Sequence, residues 1–379
     1  MAPPNRDSIV VIGAGVIGLQ VALTLLTESS AEKKPRVTIV ASAFPGSFSP
    51  HYTSPWAGGQ WRTHASRKTP EGCEQCDWDV QTYRYWKNLV ASEKFKPPSR
   101  ASGSGVAEFK SHFVWDEIND EIRPLQPGGP LGTGLWWKHE VDDFRILPNS
   151  ERPSNTIFGV EWTSFCFNVP RYLQYLLAKV EEHGGRCVQL TLPTTAGLEN
   201  AITVASGAVD GKVDLFINAT GLAAGKVAGD SKVFPTRGQT VLVEGEAQMA
   251  RTRKGDGYIA YTIPRPGSGT TVLGGCNEAG NWDEKIDESL HEKILERTKI
   301  LAPELLDSNG SHTILSRQVG FRPSRQGGPR VEFENVSEKL VLHCYGHGGA
   351  GYQNSIGCSR KVLTVVEEVK RKSVIEAKL

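Results

Sequence analysis

The stretch VIGAGVIGL, Val11 to Leu19, constrains this chain more than any other, because it packs the end of an apolar strand, three glycines and the start of an apolar helix into nine residues. Gly13, Gly15 and Gly18 have the spacing in which the first glycine permits a tight turn, the second lets a pyrophosphate approach the backbone, and the third admits close helix packing. Ser8 to Ile12 is predicted as a strand, Val16 to Glu28 as a helix and Arg36 to Ala41 as a second strand, which together make a βαβ unit. The helix start turns free N–H groups and a partial positive charge toward an anion. The backbone of Gly13, Ala14, Gly15, Val16, Ile17 and Gly18 is therefore the first candidate binding element.

The residues after the second strand narrow the ligand. A carboxylate usually stands there to accept from a ribose, and this chain has Ala41, Ser42 and Ala43, with no arginine for a 2′-phosphate. An exchanging nicotinamide depends on that local contact, whereas a dinucleotide buried by several segments does not. The pattern points to FAD, with Ser42 or backbone groups taking the ribose.

At 379 residues the chain has room for two domains, and a composition of 39% hydrophobic and 22% charged residues is that of an ordinary globular protein. A net charge of +1 argues against nucleic-acid binding. The apolar run from Ile9 to Leu26 is broken by three glycines and reads as a buried strand and helix, so neither a signal peptide nor a membrane span is expected. The seven cysteines are scattered and odd in number, so free thiols are expected, and Cys73 and Cys76 read as ordinary cysteines near a helix start.

Further along, residues 44 to 72 read as an irregular connection, Cys76 to Ser92 as a helix burying Trp78, Tyr85, Trp86 and Leu89, Phe158 to Val169 as a strand, and Arg171 to His183 as a helix behind Pro170. Val213 to Ala219 is a strand that returns the chain to the nucleotide fold. From Gly238 to Asn277 the runs QTVLV, YIAYTIP and TTVLGG are separated by short turns and predict an antiparallel sheet. Trp282 to Leu306 carries Ile286, Leu290, Ile294 and Leu301 at near-helical spacing and predicts a long helix. Lys339 to Tyr345 is a strand, Gly346 to Gly351 a second glycine-rich turn, and Tyr352 to Lys370 a helix, so the chain ends as it begins.

The segment VLHCYGHGGAGYQNSIGCS, Val341 to Ser359, resembles the signature of the D-amino-acid oxidase family, and QVGFRPSR, Gln318 to Arg325, resembles its Gly-x-Arg-Pro-x-Arg segment. SPWAGGQW, AYTIPRP and NATGL are similar to fungal members, and the matches run in family order from about residue 8 to residue 360. The resemblance implies an α/β protein in which an FAD-binding Rossmann-like domain (1–75, 150–235 and 310–379) is interleaved with an antiparallel-sheet substrate-binding domain (76–149 and 236–309). It implies oxidative deamination of neutral D-amino acids to 2-oxo acids, ammonia and hydrogen peroxide, by hydride transfer from the α-carbon to the flavin.

Carried over by position, Arg322 grips the substrate carboxylate with its planar donor fork, Tyr261 adds its hydroxyl, Gly349 offers its carbonyl to the amine, and Gln353 sits near amine and flavin. Ser54, Gly58 and Gly59 surround the flavin, the Leu192 backbone lies near adenine, Thr220 and Gly221 flank the dinucleotide, and Gly348, Gly349, Gly351, Tyr352 and Gln353 approach the ring. Asn277 stands where relatives carry a second tyrosine, for which Tyr258 is a substitute. His343 and His347 read as structural or as supports behind the residues that touch the ligands. A D-aspartate oxidase of the same fold is the alternative, with Arg251, Arg253 and Lys254 as the cations it would need. Ala377-Lys378-Leu379 is similar to the peroxisomal address, which an import receptor reads and which suits a peroxide-forming enzyme of the peroxisome matrix. D-amino acid and O2 are the expected partners, with a homodimer as the expected assembly.

Overall fold

The computed structural model describes residues 7–30, 34–93, 103–129 and 134–376; the tripeptide Ala377-Lys378-Leu379 lies outside them. In chain order the strands are β1 (Ser8–Ile12), β2 (Arg36–Ala41), β3 (Val106–Trp115), β4 (Asp142–Ile146), β5 (Phe158–Phe167), β6 (Arg186–Gln189), β7 (Leu215–Asn218) and β8 (Val233–Glu244). They continue as β9 (Ala250–Gly255), β10 (Tyr258–Arg265), β11 (Thr270–Gly274), β12 (Glu278–Ala279), β13 (Ile314–Arg325), β14 (Arg330–Val336) and β15 (Lys339–Tyr345). The α-helices are α1 (Val16–Thr27), α2 (Pro70–Glu93), α3 (Val169–Glu182), α4 (Gly197–Gly207), α5 (Ala224–Val227), α6 (Glu288–Lys299) and α7 (Gly351–Glu376).

The chain divides into two compact units, one of Met1–Pro55, Leu173–Thr236 and Arg322–Leu379, the other of Trp56–Tyr172 and Arg237–Phe321. Residues 56–75, 150–172 and 310–321, apportioned to the cofactor domain on sequence, fall in the second unit.

The first unit is built on a six-stranded sheet in the order β14-β15-β7-β1-β2-β6. Five strands are parallel and β14 closes the edge in antiparallel pairing with β15. Both faces of such a sheet are covered, which is why SIVVI and RVTIVA read as near-continuous apolar runs. Ile12, Val40, Phe216 and Val341 join Leu198, Ala201, Ile202 and Ala205 of α4 in one core. Each of the Ile, Val, Leu and Phe side chains here contributes about 1.5–3 kcal/mol on full burial. Helix α1 is buried nearly all round because it packs along α7, where Thr24 Oγ1 and Ser359 Oγ share a 2.8 Å hydrogen bond.

The second unit carries a nine-stranded sheet in the order β12-β8-β11-β10-β9-β3-β5-β4, with β13 paired to β8. The β8, β11, β10 and β9 ladder is antiparallel as the short turns predict, while β3 and β9 run parallel. Helix α2 starts at Pro70, earlier than predicted, and buries Trp78, Thr82, Trp86 and Val90 with Asp79 and Tyr83. Tyr85 and Leu89, read as core on sequence, are only partly buried; the inward stripe instead follows the i, i+4 row, and Tyr83 anchors it by donating to the Thr163 carbonyl at 2.8 Å. The long helix expected over Trp282–Leu306 is shorter. It begins where the Asp287 side chain caps the Leu290 N–H at 3.0 Å, and past Lys299 the chain turns into the 3₁₀ segment Pro303–Leu305. Ile286 and Leu301 therefore lie outside the helix.

Candidate active site

A chain of close approaches within the first unit joins the glycine turns at its two ends. At the end of β1, Gly13 has φ +112°, and a Cβ there would meet the Ala219 carbonyl oxygen at 2.5 Å. A Cβ on Gly18 would fall 1.9 Å from the Gly13 carbonyl oxygen, so α1 can approach the turn only with glycine at both places. Gly15 is the N-cap of α1, no side chain of its own caps the helix, and no acidic residue stands in the first turn. A Cβ on Gly15 would reach within 3.0 Å of Ser54 Oγ. The cradle is shaped by absent side chains and carries the positive end of a helix, which fits the phosphates of a dinucleotide.

Neighbouring segments fix this turn. Tyr52 donates its hydroxyl to the Ala14 carbonyl at 2.8 Å, and burial pushes that phenol well above its ordinary range. Ser54 Oγ accepts from the Val16 N–H at 3.0 Å, while Ile17 is partly exposed one residue on. On the far side, Asn218 Oδ1 accepts from the Thr220 N–H at 3.2 Å and the Thr220 hydroxyl at 2.7 Å. Asn218 Nδ2 lies 3.1 Å from His343 Nδ1, and His343 Nε2 lies 2.9 Å from Glu334 Oε2. Burial and then the Arg330 charge hold His343 below the ordinary imidazole range, so the neutral ring accepts from Asn218 and donates to Glu334. His343 thus steadies Thr220 and Gly221 and is structural, as expected.

From there the circuit continues. Gly221 lies beside Pro323, with a Cβ position 3.7 Å from the proline Cβ, and Arg322 runs alongside Gly349, whose Cβ position is 3.5 Å from the arginine Cδ. Gly349 is exposed, and Tyr352 and Gln353 are buried in the first turn of α7. Gly351 closes the loop with a Cβ position 3.7 Å from Val16 Cγ1, and the Tyr352 hydroxyl donates to the Ser54 carbonyl at 2.9 Å. Gly348 lies beside Ser324, which also bridges to His347. Of the outlying predictions, Ser42 is exposed past the end of β2 and its carbonyl accepts from Gln189 Nε2 at 3.2 Å, and Leu192 packs against the β-sheet core.

Asp230 is a residue of this unit that sequence reasoning missed. Its Oδ2 accepts from Arg325 Nε at 2.8 Å and from the Tyr345 hydroxyl at 2.9 Å, tying the tail of β13, three residues past Arg322, to the strand that leads into the second turn. Burial works against the charge of Asp230, but the bonds from Arg325 and Tyr345 outweigh it and hold the carboxyl below its usual range. The acid follows an unpatterned loop and its partners are remote in sequence, so nothing local marked it.

The second unit brings Tyr261, Gly58 and Gly59 together around β10. Cβ atoms on Gly274 and Gly275 would fall 2.2 and 2.4 Å from the Tyr261 ring, so this glycine pair is the platform on which the ring lies. Gly58 faces the same ring with a Cβ position 3.8 Å from Tyr261 Cε2, and Gly59, at φ +89°, passes the Phe167 carbonyl. The strand register that sets Tyr261 opposite Gly274 was the available signal. Asn277 is exposed. Tyr258 bonds to Asp116 and lies under the Arg297 guanidinium, 4.3 Å from ring centroid to Cζ.

Arg251, Arg253 and Lys254 lie on strand β9, and each of these cations meets a carboxylate. Arg251 pairs with Glu304 at 2.6 Å, Arg253 with Asp116 at 2.8 Å and Lys254 with Glu121 at 3.4 Å. Cys73 is exposed and Cys76 buried, both as free thiols.

A family described as FAD dependent oxidoreductase matches residues 8–363. The chain is 32% identical to a D-amino-acid oxidase of Fusarium vanettenii, over 96% of this chain and 97% of that one. It is equally, at 32%, identical to a D-aspartate oxidase of Talaromyces thermophilus, over 97% and 96%. A solved structure of glycine oxidase from Bacillus cereus has the same fold, with a TM-score of 0.69 at 16% identity over 96% of this chain and 95% of that one. None of the described helices is long and apolar enough to cross a membrane.

Proposed function

The chain belongs to the FAD-dependent oxidoreductase family, and on that footing we propose that it is a D-amino-acid oxidase converting neutral D-amino acids, O2 and water to 2-oxo acids, ammonia and hydrogen peroxide. One observation carries this reading: Arg322, a planar cation suited to a carboxylate, lies against Gly349 in the same circuit as the anion cradle at Gly13 to Gly18.

FAD is the cofactor, and the chemistry it supplies when bound is acceptance of a hydride from the substrate α-carbon and delivery of the electrons to O2. The α1 start would hold the pyrophosphate, with Thr220, Gly221, Ser42 and the Leu192 backbone toward the rest of the dinucleotide and Ser54, Gly348, Gly351 and Tyr352 toward the ring. Arg322 binds the substrate carboxylate through two parallel N–H donors. The Gly349 carbonyl accepts from the amine, with Gln353 beside it. A substrate held at both ends has its α-C–H bond fixed in one orientation, and that positioning is the main contribution asked of the protein. No side chain has to take the α-proton, because the hydrogen leaves with its electron pair.

A neutral substrate side chain is favoured over an acidic one by strand β9, where all three cations that a D-aspartate oxidase would recruit are already paired with carboxylates. The proposal extends to a homodimer and to residence in the peroxisome beside catalase, with Ala377-Lys378-Leu379 read by the import receptor. Deleting that tripeptide from an amino-terminally tagged protein should release it to the cytosol with turnover unchanged.

Peroxide release from D-alanine, L-alanine and D-aspartate tests the activity. D-alanine should be turned over with a kcat/KM at least ~10-fold above D-aspartate, with no peroxide from L-alanine. Preference for D-aspartate would assign the alternative, and activity on L-alanine would overturn the reading.

A further inference from the structure

We propose that Cys344, His347 and Cys358 form a closed three-donor site for a soft, thiophilic metal ion, which clips the end of β15 to α7 across the second glycine turn. Nothing in the oxidase chemistry uses these residues. The three ligand atoms lie within 4.8 Å of one another, and all three residues are buried, with both cysteines at 0% exposure. Cys344 Sγ is 3.9 Å from His347 Nε2. A metal bound trigonally at ordinary metal–sulfur and metal–nitrogen lengths would separate such a pair by about 3.8 Å.

The orientation of His347 is the second observation. Its Nδ1 faces Asn354 Oδ1 at 3.3 Å, and an amide oxygen only accepts, so Nδ1 carries the proton there. The Nε2 lone pair is then turned toward the sulfurs, the arrangement in which an outer partner orients a ligating imidazole. An ion binds the two sulfurs as thiolates, so its binding releases their protons to solvent. Two sulfurs and an imidazole select Zn2+ or Cu+ over Mg2+ or Ca2+. The donors come from a strand, a turn and a helix on either side of Gly348 to Gly351, so an ion adds a direct link between the strand and the helix.

Cd2+ is the probe, titrated into reduced, chelator-treated holoenzyme. One equivalent should bind per chain with a thiolate-to-cadmium band in the ultraviolet difference spectrum and a raised melting temperature, and excess Mg2+ should not compete. Cys344→Ser and Cys358→Ser should each weaken binding on the order of 100-fold or more, Asn354→Ala about 10–100-fold, and Cys73→Ser not at all. Retained flavin absorbance shows which variants are folded. If a serine variant does not fold, the cadmium-113 resonance of the unaltered protein decides, since its shift reports two sulfur donors and one nitrogen. Absence of a thiolate band in folded unaltered protein, a resonance without sulfur donors, or equal binding by folded Cys344→Ser would overturn the site.

Discussion

The Tyr352 hydroxyl donates to the Ser54 carbonyl at 2.9 Å while the Ser54 hydroxyl accepts the Val16 N–H at 3.0 Å, so one residue of an irregular segment ties together two helix starts from opposite ends of the chain. Ser54→Ala leaves the Val16 N–H without that acceptor and should cost about 1–3 kcal/mol, against about 1 kcal/mol for Tyr352→Phe. FAD affinity, followed by flavin fluorescence on titration of the apoprotein, should fall roughly tenfold for each ~1.4 kcal/mol lost. The double variant should lose less than the sum, because both bonds pass through Ser54.

Gly13 and Gly349 separate folding of the cofactor cradle from substrate binding. Gly13→Ala strains a backbone at φ +112° and pushes a methyl to 2.5 Å from a carbonyl oxygen, so the protein should purify colourless. Gly349→Ala meets only an ordinary 3.5 Å contact with Arg322. That variant should stay yellow and show its defect as a raised KM for D-alanine, which steady-state kinetics will read.

Asp230 should matter for catalysis without touching substrate. Asp230→Asn leaves the partly buried Arg325 without its ion-pair partner and should destabilise the protein by about 3 kcal/mol, with kcat/KM falling as Arg322 loses its anchored neighbour. In the unaltered protein the Asp230 carboxyl is depressed on folding, so its contribution is present above the ordinary aspartate range, near pH 4, and is lost as pH falls through the folded value. Acid unfolding followed by circular dichroism should show a shallower loss below about pH 4 in Asp230→Asn than in the unaltered chain.

His343 sets a second, higher pH window. Its pKa is lowered on folding, first by burial, so the unfolded chain binds the proton more readily and stability falls as pH drops below about 6.5. His312, lowered by burial too, adds to the same slope. Melting temperatures at pH 7.5 and 5.5 should therefore differ less in His343→Gln than in the unaltered protein, even though the variant melts lower at both.

What could be read from the chain followed range of interaction. β1, α1 and β2 declare themselves because both faces of a parallel sheet are buried and each glycine answers a local steric demand. The same holds for β15, the second turn and α7, and for the β10–β11 hairpin. β9 was hidden because its charged residues point to carboxylates that come from far away in sequence, and α6 was overextended because its apolar spacing continued past its cap at Asp287. Arg322 was visible only through its motif. Its relation to Gly349, the Asp230 tie and the glycine platform under Tyr261 all arise from long-range register.

The most direct test of the account is anaerobic mixing of the purified yellow protein with D-alanine, in parallel with an Arg322→Lys variant. The unaltered protein should bleach within the mixing experiment at saturating D-alanine, while Arg322→Lys, which keeps the charge but loses the fork, should bleach with an apparent affinity weakened by about 2–5 kcal/mol. A flavin that stays oxidised under D-alanine, or a lysine variant that bleaches as readily as the unaltered protein, would contradict it.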